Sequence, residues 1–341
     1  MKELKIVTLG GGTGHVRLLE ALKNLYNVRI TAIVAMTDNG GSSGRLRNEF
    51  GIFPPGDLRN CMAGFINNLT LKKLFQFRFD ETEAKREVSG HVFGNIFIAA
   101  LEKVFEGNSI EALLWLHDFL GIDKRFRVLP VTTTKAHFRA VYANDEEVVG
   151  EEHFNNSSSS MPLPIKCVEL TPKGTYICEE SAEALREADL IIFAPGSVYT
   201  STISVLLPEG VRACLKDTSA KKMYIVNVMT QWGETSGRGL DNNLHIFKSS
   251  DFISTIQKYS GVDFDFIICN NQKPSQNVLK IYEEVGSYFV ETDFHASGIL
   301  KNNQKIFLED LISEKSEKVH LARHDLEKLR ECLVRRLTEL P

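Results

Sequence analysis

No stretch of the 341-residue sequence approaches the ~20 consecutive apolar residues that a membrane-crossing helix needs. The opening residues Met1-Lys2-Glu3-Leu4-Lys5 run straight into a strand-like segment without a cleavable hydrophobic leader, so the expectation is a cytoplasmic protein with no membrane span. A surplus of positive charge is missing as well. Forty basic against forty-four acidic side chains leave a formal charge of −4, and no global field favours nucleic acid or an anionic membrane as partner. Any anion has to be gripped locally. Cysteine pairing is absent too: the cysteines at 61, 167, 178, 214, 269 and 332 form no C-x-x-C pair and no zinc-type cluster, and read as reduced thiols. No internal repeat appears at the roughly 20–50 residue period of solenoids and propellers.

What is present is an ordinary globular composition, 43% apolar and 25% charged. The length suggests about two domains at roughly 150 residues each. Leu4-Lys5-Ile6-Val7-Thr8-Leu9 is a strand-like run that opens directly onto Gly10-Gly11-Gly12-Thr13-Gly14. Val16, Leu18, Leu19, Leu22 and Leu25 then recur at helical spacing, and a second apolar run, Ile30 to Ala35, leads into Asp38-Asn39-Gly40-Gly41-Ser42-Ser43-Gly44-Arg45-Leu46-Arg47. This is a βαβ unit opening a parallel sheet, with two glycine-rich loops as two lips of one ligand site.

Further along, Asp57 is the expected N-cap of a helix through Leu58, Met62, Phe65 and Ile66, with Leu69 to Phe75 continuing the pattern. Helices are expected at Ile96–Phe105 and Ile110–Leu120. The runs Phe126–Val131 and Ala136–Tyr142 read as antiparallel strands, and Asn155 to Pro162 as a mobile loop. Ser181 is the expected cap of a helix to Ala188, which precedes the buried parallel strand Asp189–Ala194. Strands at Met223–Val228 and Phe264–Cys269 repeat the rhythm, with a helix near Phe252–Tyr259 between them. A closing amphipathic helix carries Leu326, Leu329, Leu333, Leu337 and Leu340, facing either the core or a second copy in a homo-oligomer.

In such a sheet ligands bind beyond the carboxyl ends of the strands, where this sequence places its polar, glycine-rich passages. Gly10–Gly14 either approaches a phosphate with its backbone N–H groups or is a tight strand-to-helix turn. It is not a Walker A loop, and His15 breaks the G-x-G-x-x-G spacing; a dinucleotide reading would use Asp38, twenty-four residues after Gly14, for the ribose. In the second loop Ser42 and Ser43 supply hydroxyls and Arg45 and Arg47 guanidinium groups suited to phosphate. Asp38 either holds a divalent cation or caps the loop. His91 and Asn95 contact a phosphate or sugar, or are structural. Ser197, Tyr199, Thr200 and Ser201 bind a ligand or cap the following helix. Their context is not a G-x-S-x-G elbow, which argues against a serine hydrolase.

Together these passages, with Pro55-Gly-Asp-Leu-Arg-Asn60, Gly90-His-Val-Phe-Gly-Asn95, Pro195-Gly-Ser-Val-Tyr-Thr-Ser201, Asn227-Val-Met-Thr-Gln231, Gly233-Glu-Thr235 and Arg323-His324-Asp325, resemble the CofD-like family, and within it the YvcK-type gluconeogenesis-factor branch. The resemblance implies one α/β domain with a Rossmann-like, mostly parallel sheet and helices on both faces. Its core would span about 1–125 and 181–341, with a smaller inserted region about 126–180. It implies a UDP-sugar ligand, with NAD or a GDP-type nucleotide as other candidates. It further implies a link to growth on gluconeogenic carbon, cell shape and wall synthesis, with a regulatory protein partner there. The implied ligand contacts are Gly11, Gly12 and Thr13 for phosphate, Asp38 and Asn39 for ribose or substrate hydroxyls, and Ser42, Ser43, Arg45 and Arg47 for the diphosphate. Asn60, His91, Asn95, Ser197, Tyr199 and Arg323 complete the pocket. The related transferase branch moves a phospholactyl group from a nucleotide diphosphate donor using magnesium. That branch usually carries paired carboxylates after the second strand, where this chain has Asn39 beside Asp38; an amide lacks the charge that favours magnesium.

Overall fold

The computed structural model describes residues 3–79, 88–151, 154, 161–294, 304–313 and 322–338. In chain order its strands are β1 (Leu4–Gly10), β2 (Val28–Val34), β3 (Phe126–Pro130), β4 (His137–Val141), β5 (Glu147–Val149), β6 (Cys167–Thr171), β7 (Leu190–Phe193), β8 (Lys221–Ile225), β9 (Ser236–Arg238), β10 (Leu244–Ile246), β11 (Phe266–Asn270), β12 (Lys305–Glu309), β13 (Ile312–Ser313) and β14 (Arg323–His324). Seven of them form one sheet in the order β12-β11-β8-β7-β1-β2-β3, and every neighbouring pair is parallel. Such a sheet is covered on both faces, which is why its central strands are rich in apolar residues. Leu190, Ile191, Ile192 and Phe193 are all fully buried, each contributing roughly 1.5–3 kcal/mol by leaving water.

The chain lays β2 and β3 to one side of β1, then returns to place β7, β8, β11 and β12 on the other. The order reverses between β1 and β7, so the loops leaving these strands diverge and open a crevice. Helices α1 (Gly12–Leu22), α2 (Gly41–Phe50) and α3 (Gly56–Phe65) follow the first two strands. α1 packs on α3 and on the closing helix Leu326–Leu337. A second group, Glu179–Glu187, Val211–Asp217 and Ser249–Ser260, packs together against the rest of the core. β5, β4 and β6 make a separate antiparallel sheet inserted after β3.

Several expectations are corrected. Phe126–Pro130 is not antiparallel: it pairs parallel with β2, Ile30 opposite Phe126. Arg127 and Pro130 interrupt its apolar run, and both are accommodated because β3 is the sheet edge. The helix begun at Gly56 stops at Ile66, whose backbone is extended, and a new one starts at Leu69, where Asn68 accepts from the Leu71 N–H at 3.0 Å. Asn68 thus caps the second helix. Asp57 caps nothing, since Pro55 holds that position. Ser181 does not cap either; Cys178 does, and the Ser181 hydroxyl donates to the Pro130 carbonyl at 2.8 Å, tying its helix to the end of β3. Helices at Phe93–Val104, Ser109–Phe119 and Ser249–Ser260 agree in kind with expectation and differ by a few residues at their ends. Leu329, Cys332 and Leu333 of the closing helix are buried in the core. Leu340 and the segment 155–160 lie outside the described residues.

Candidate functional site

Beyond the ends of β1, β7 and β8 lies an open cavity of about 480 Å³, within the roughly 300–1,000 Å³ common for small-molecule clefts. Thr13, Gly14 and Arg17 of α1 form one wall, Pro195, Gly196 and Ser197 the next, and Asn227 to Gln231 the third. Tyr282, Ser287, Ala322, Arg323 and His324 close it.

The two central loops are locked together. Gly12 has φ +65°, the left-handed region that glycine enters without steric cost. A Cβ on Gly14 would stand 2.2 Å from the Pro195 carbonyl oxygen, so only glycine lets the β1 and β7 loops touch. Asn227 pins the β7 loop to the end of β8: its Nδ2 donates to Gly196 O at 2.6 Å and its Oδ1 accepts from Gly196 N at 3.3 Å.

The electrostatics of the cavity are one-sided. Among the described residues no carboxylate lines it, while Arg17 and Arg323 both do, and burial, followed by the charge of Arg17, pulls the Arg323 guanidinium below its ordinary pKa. Two like charges held near each other beside a helix N-terminus are an arrangement that an anion would relieve. Arg17 follows Thr13 by one helical turn, on the same face; that spacing was the signal in the sequence.

A second polar cluster sits beside the cavity, around the other glycine-rich loop. Asp38 accepts from Gly40 N at 3.0 Å. The Ser42 hydroxyl meets His91 Nδ1 at 3.1 Å and accepts from Asn95 Nδ2 at 3.1 Å and Val92 N at 3.2 Å; Ser43 is 3.5 Å from the same Asn95 nitrogen. Ser42, Ser43, His91 and Asn95 are therefore brought together, all buried. Asp57 reaches from α3 to accept from Gly12 N at 2.9 Å. Burial, then the charge of Asp38, pushes the Asp57 carboxyl up to about 6. Burial, followed by Asp38 and Asp57, raises Glu151 well above the usual range, and Asp38 is raised by burial.

The residues expected to form one pocket thus divide. Thr13, Ser197 and Arg323 line the cavity. Gly11 and Gly12 face Asp57 instead, which takes the Gly12 N–H. Arg45 is exposed and donates to Ser89 O at 2.6 Å. Arg47 is buried, its guanidinium donating to Ala136 O at 2.6 Å and Thr37 O at 3.5 Å. The Asn39 carbonyl lies against Gly44 inside the second loop. Asn60 accepts from Arg59 at 2.5 Å. Tyr199 is buried within the wide π-type turn Val198–Ile203, whereas Ser197 caps that turn by accepting from Thr200 N at 3.2 Å. Reasoning from sequence passed over Arg17, Asp57, Glu151 and Glu234 as site residues.

A family profile described as 2-phospho-L-lactate transferase CofD matches residues 6–332. The chain belongs to the CofD family. Among curated relatives of this CofD-family protein, a Bacillus subtilis protein named gluconeogenesis factor is 34% identical, over 98% of this chain and 98% of its own. One from Thermotoga maritima, which carries that name provisionally, is 41% identical over 85% of this chain and 86% of its own. The crystal structure of a UPF0052 family member from Bacillus halodurans superposes with a TM-score of 0.85 at 33% identity, covering 98% of this chain and 99% of that one. The gluconeogenesis-factor branch and the α/β architecture anticipated from the motifs are those of the family.

Proposed function

We propose that this CofD-family chain binds a nucleoside-diphosphate sugar of the UDP-sugar type and acts as a regulator in cells growing on gluconeogenic carbon, linked to cell shape and wall synthesis. The observation that carries the reading is the cavity at the β1/β7 reversal, which no acidic side chain among the described residues lines and where Arg17 and Arg323 stand together near the start of α1. A diphosphate answers both guanidinium groups, and the polar strand ends Asn227 to Gln231 leave room for a base or sugar. The names of the relatives support the gluconeogenic setting.

One observation favours a second reading, a magnesium-dependent transferase acting on a nucleotide diphosphate donor. Asn39 beside Asp38 offers magnesium no second charge, but Asp57 supplies a second carboxylate from α3, close enough that the charge of Asp38 adds to burial in raising the Asp57 carboxyl. Two carboxylates suit a hard cation that takes its other oxygens from water and phosphate. Among the described residues no group of three or more His, Cys, Asp or Glu side chains could hold a metal ion. Asp38 and Asp57 would hold magnesium, which would neutralise diphosphate charge.

A thermal-shift panel of UDP-N-acetylglucosamine, GDP and NAD, each with and without magnesium, separates the readings, because a ligand bound only by the folded state raises its melting point. Stabilisation by the UDP-sugar without magnesium is expected. Stabilisation by GDP only with magnesium, and none by the UDP-sugar, would give the site to the transferase.

A further inference from the structure

Beside the cavity, the Glu234 carboxylate is buried, 1% exposed. Its two oxygens lie 2.8 and 2.7 Å from Ser197 Oγ, and Oε2 also accepts from Tyr199 N at 3.3 Å. A serine hydroxyl has a single hydrogen. Toward an ionised Glu234 that hydrogen must point at the carboxylate, since an ionised carboxylate only accepts. Ser197 Oγ also accepts from Thr200 N at 3.2 Å and lies 2.7 Å from Thr200 Oγ1. With Glu234 ionised, Ser197 therefore has no hydrogen left for the cavity it lines.

An anionic ligand needs donors, and it dislikes a buried negative charge one hydrogen bond away. Both demands are met by the same proton. We propose that Glu234 is a proton-coupled positioning residue: an anion entering the cavity draws one proton from solvent onto Glu234, the protonated carboxyl donates to Ser197 Oγ in place of the Thr200 hydroxyl, which turns away, and the serine turns its own hydrogen to the ligand. This rests on the reading of the cavity as the site of an anionic diphosphate.

The surroundings make the proton available at neutral pH. Burial pushes the Glu234 carboxyl up to about 7. The titratable groups that face it are Tyr142 and Glu151 from the inserted region and Tyr199 from the π-type turn. Burial raises all three, so the tyrosines stay neutral and Glu151 resists ionising. No basic side chain among the described residues offsets the Glu234 charge, so a ligand's negative charge tips it toward the protonated form.

The test is calorimetric titration of the full chain with UDP-N-acetylglucosamine and with ADP-ribose, in pairs of buffers that differ in heat of ionisation. Both probes are diphosphate diesters without a titrating group near neutrality, so any proton taken up belongs to the protein. Above pH about 7 the expected result is uptake approaching one proton per ligand, with affinity falling about tenfold per pH unit. Glu234→Gln, whose amide donates to Ser197 at every pH, is expected to bind without proton uptake and with affinity flat in pH. Ser197→Ala should still take up the proton, since the ionised carboxylate repels the anion without it, but should gain less affinity at low pH than wild type. If Glu234→Gln does not fold, the wild-type proton count decides alone. A flat affinity without proton uptake in the wild type overturns the inference and leaves the nucleotide-sugar reading standing. Equal binding of ADP-ribose with full proton uptake removes the preference for a UDP-sugar and leaves the inference standing. Failure of both probes to bind overturns both.

Discussion

Arg17 and Arg323 stand on two walls of the same cavity and repel one another, though more than three hundred residues separate them in the chain. An arrangement that costs energy in the free protein is relieved by a bound anion. Replacing Arg323 by alanine is expected to weaken binding of UDP-N-acetylglucosamine by about 1.5–3 kcal/mol, roughly ten- to a hundredfold, as for a lost charge-assisted hydrogen bond. The melting point without ligand should stay level or rise. Titration calorimetry and a thermal melt on the same preparation check both halves.

Arg45 and Arg47 part company. Arg47→Ala should destabilise the fold by about 1–3 kcal/mol, because the buried Ala136 carbonyl loses its partner. Arg45→Ala, at an exposed position, should leave stability unchanged within about 0.5 kcal/mol. Urea unfolding of the two variants compares them directly.

Asp57 makes stability depend on pH. Its carboxyl rises from 3.8 to about 6 on folding, so between those values the folded state holds more protons than the unfolded one, and stability falls as pH rises through that window. Asn can still accept from Gly12 N while carrying no charge. Asp57→Asn is therefore expected to melt higher than wild type at neutral pH and to converge with it near pH 4. Equal melting points across the range would remove this account of Asp57.

The closing helix turns its leucines inward. Leu333→Ala should cost about 2–5 kcal/mol, the range for a large-to-small change in a packed core. The oligomeric state by size-exclusion chromatography should not change. A shift in oligomer with little loss of stability would point instead to an interface.

The architecture was legible where burial is uniform. Ile6–Leu9 and Leu190–Ala194 are almost wholly apolar because parallel strands are covered on both faces, and α1 shows its buried face at regular spacing. β3 was not legible, since Arg127 and Pro130 make an edge strand resemble half of a hairpin. Within the site, loop residues announced themselves through glycine and hydroxyl clusters at strand ends, as at Thr13 and Ser197. The partition into an acid-free cavity and an acidic neighbour was not legible. It depends on which of several arginines and carboxylates the fold brings together, and Arg47 and Arg323 are equally basic in a one-dimensional sequence. Glu234 stood in a noted motif, but its role depends on contact with Ser197 across the β7 and β8 loops.

The most direct test of the central claim is a crystal structure with UDP-N-acetylglucosamine bound. The account requires the diphosphate between the first turn of α1 and the guanidinium groups of Arg17 and Arg323, beside Ser197. A diphosphate held instead at Asp38 and Asp57 through a cation, with the Arg17–Arg323 cavity empty, would contradict it.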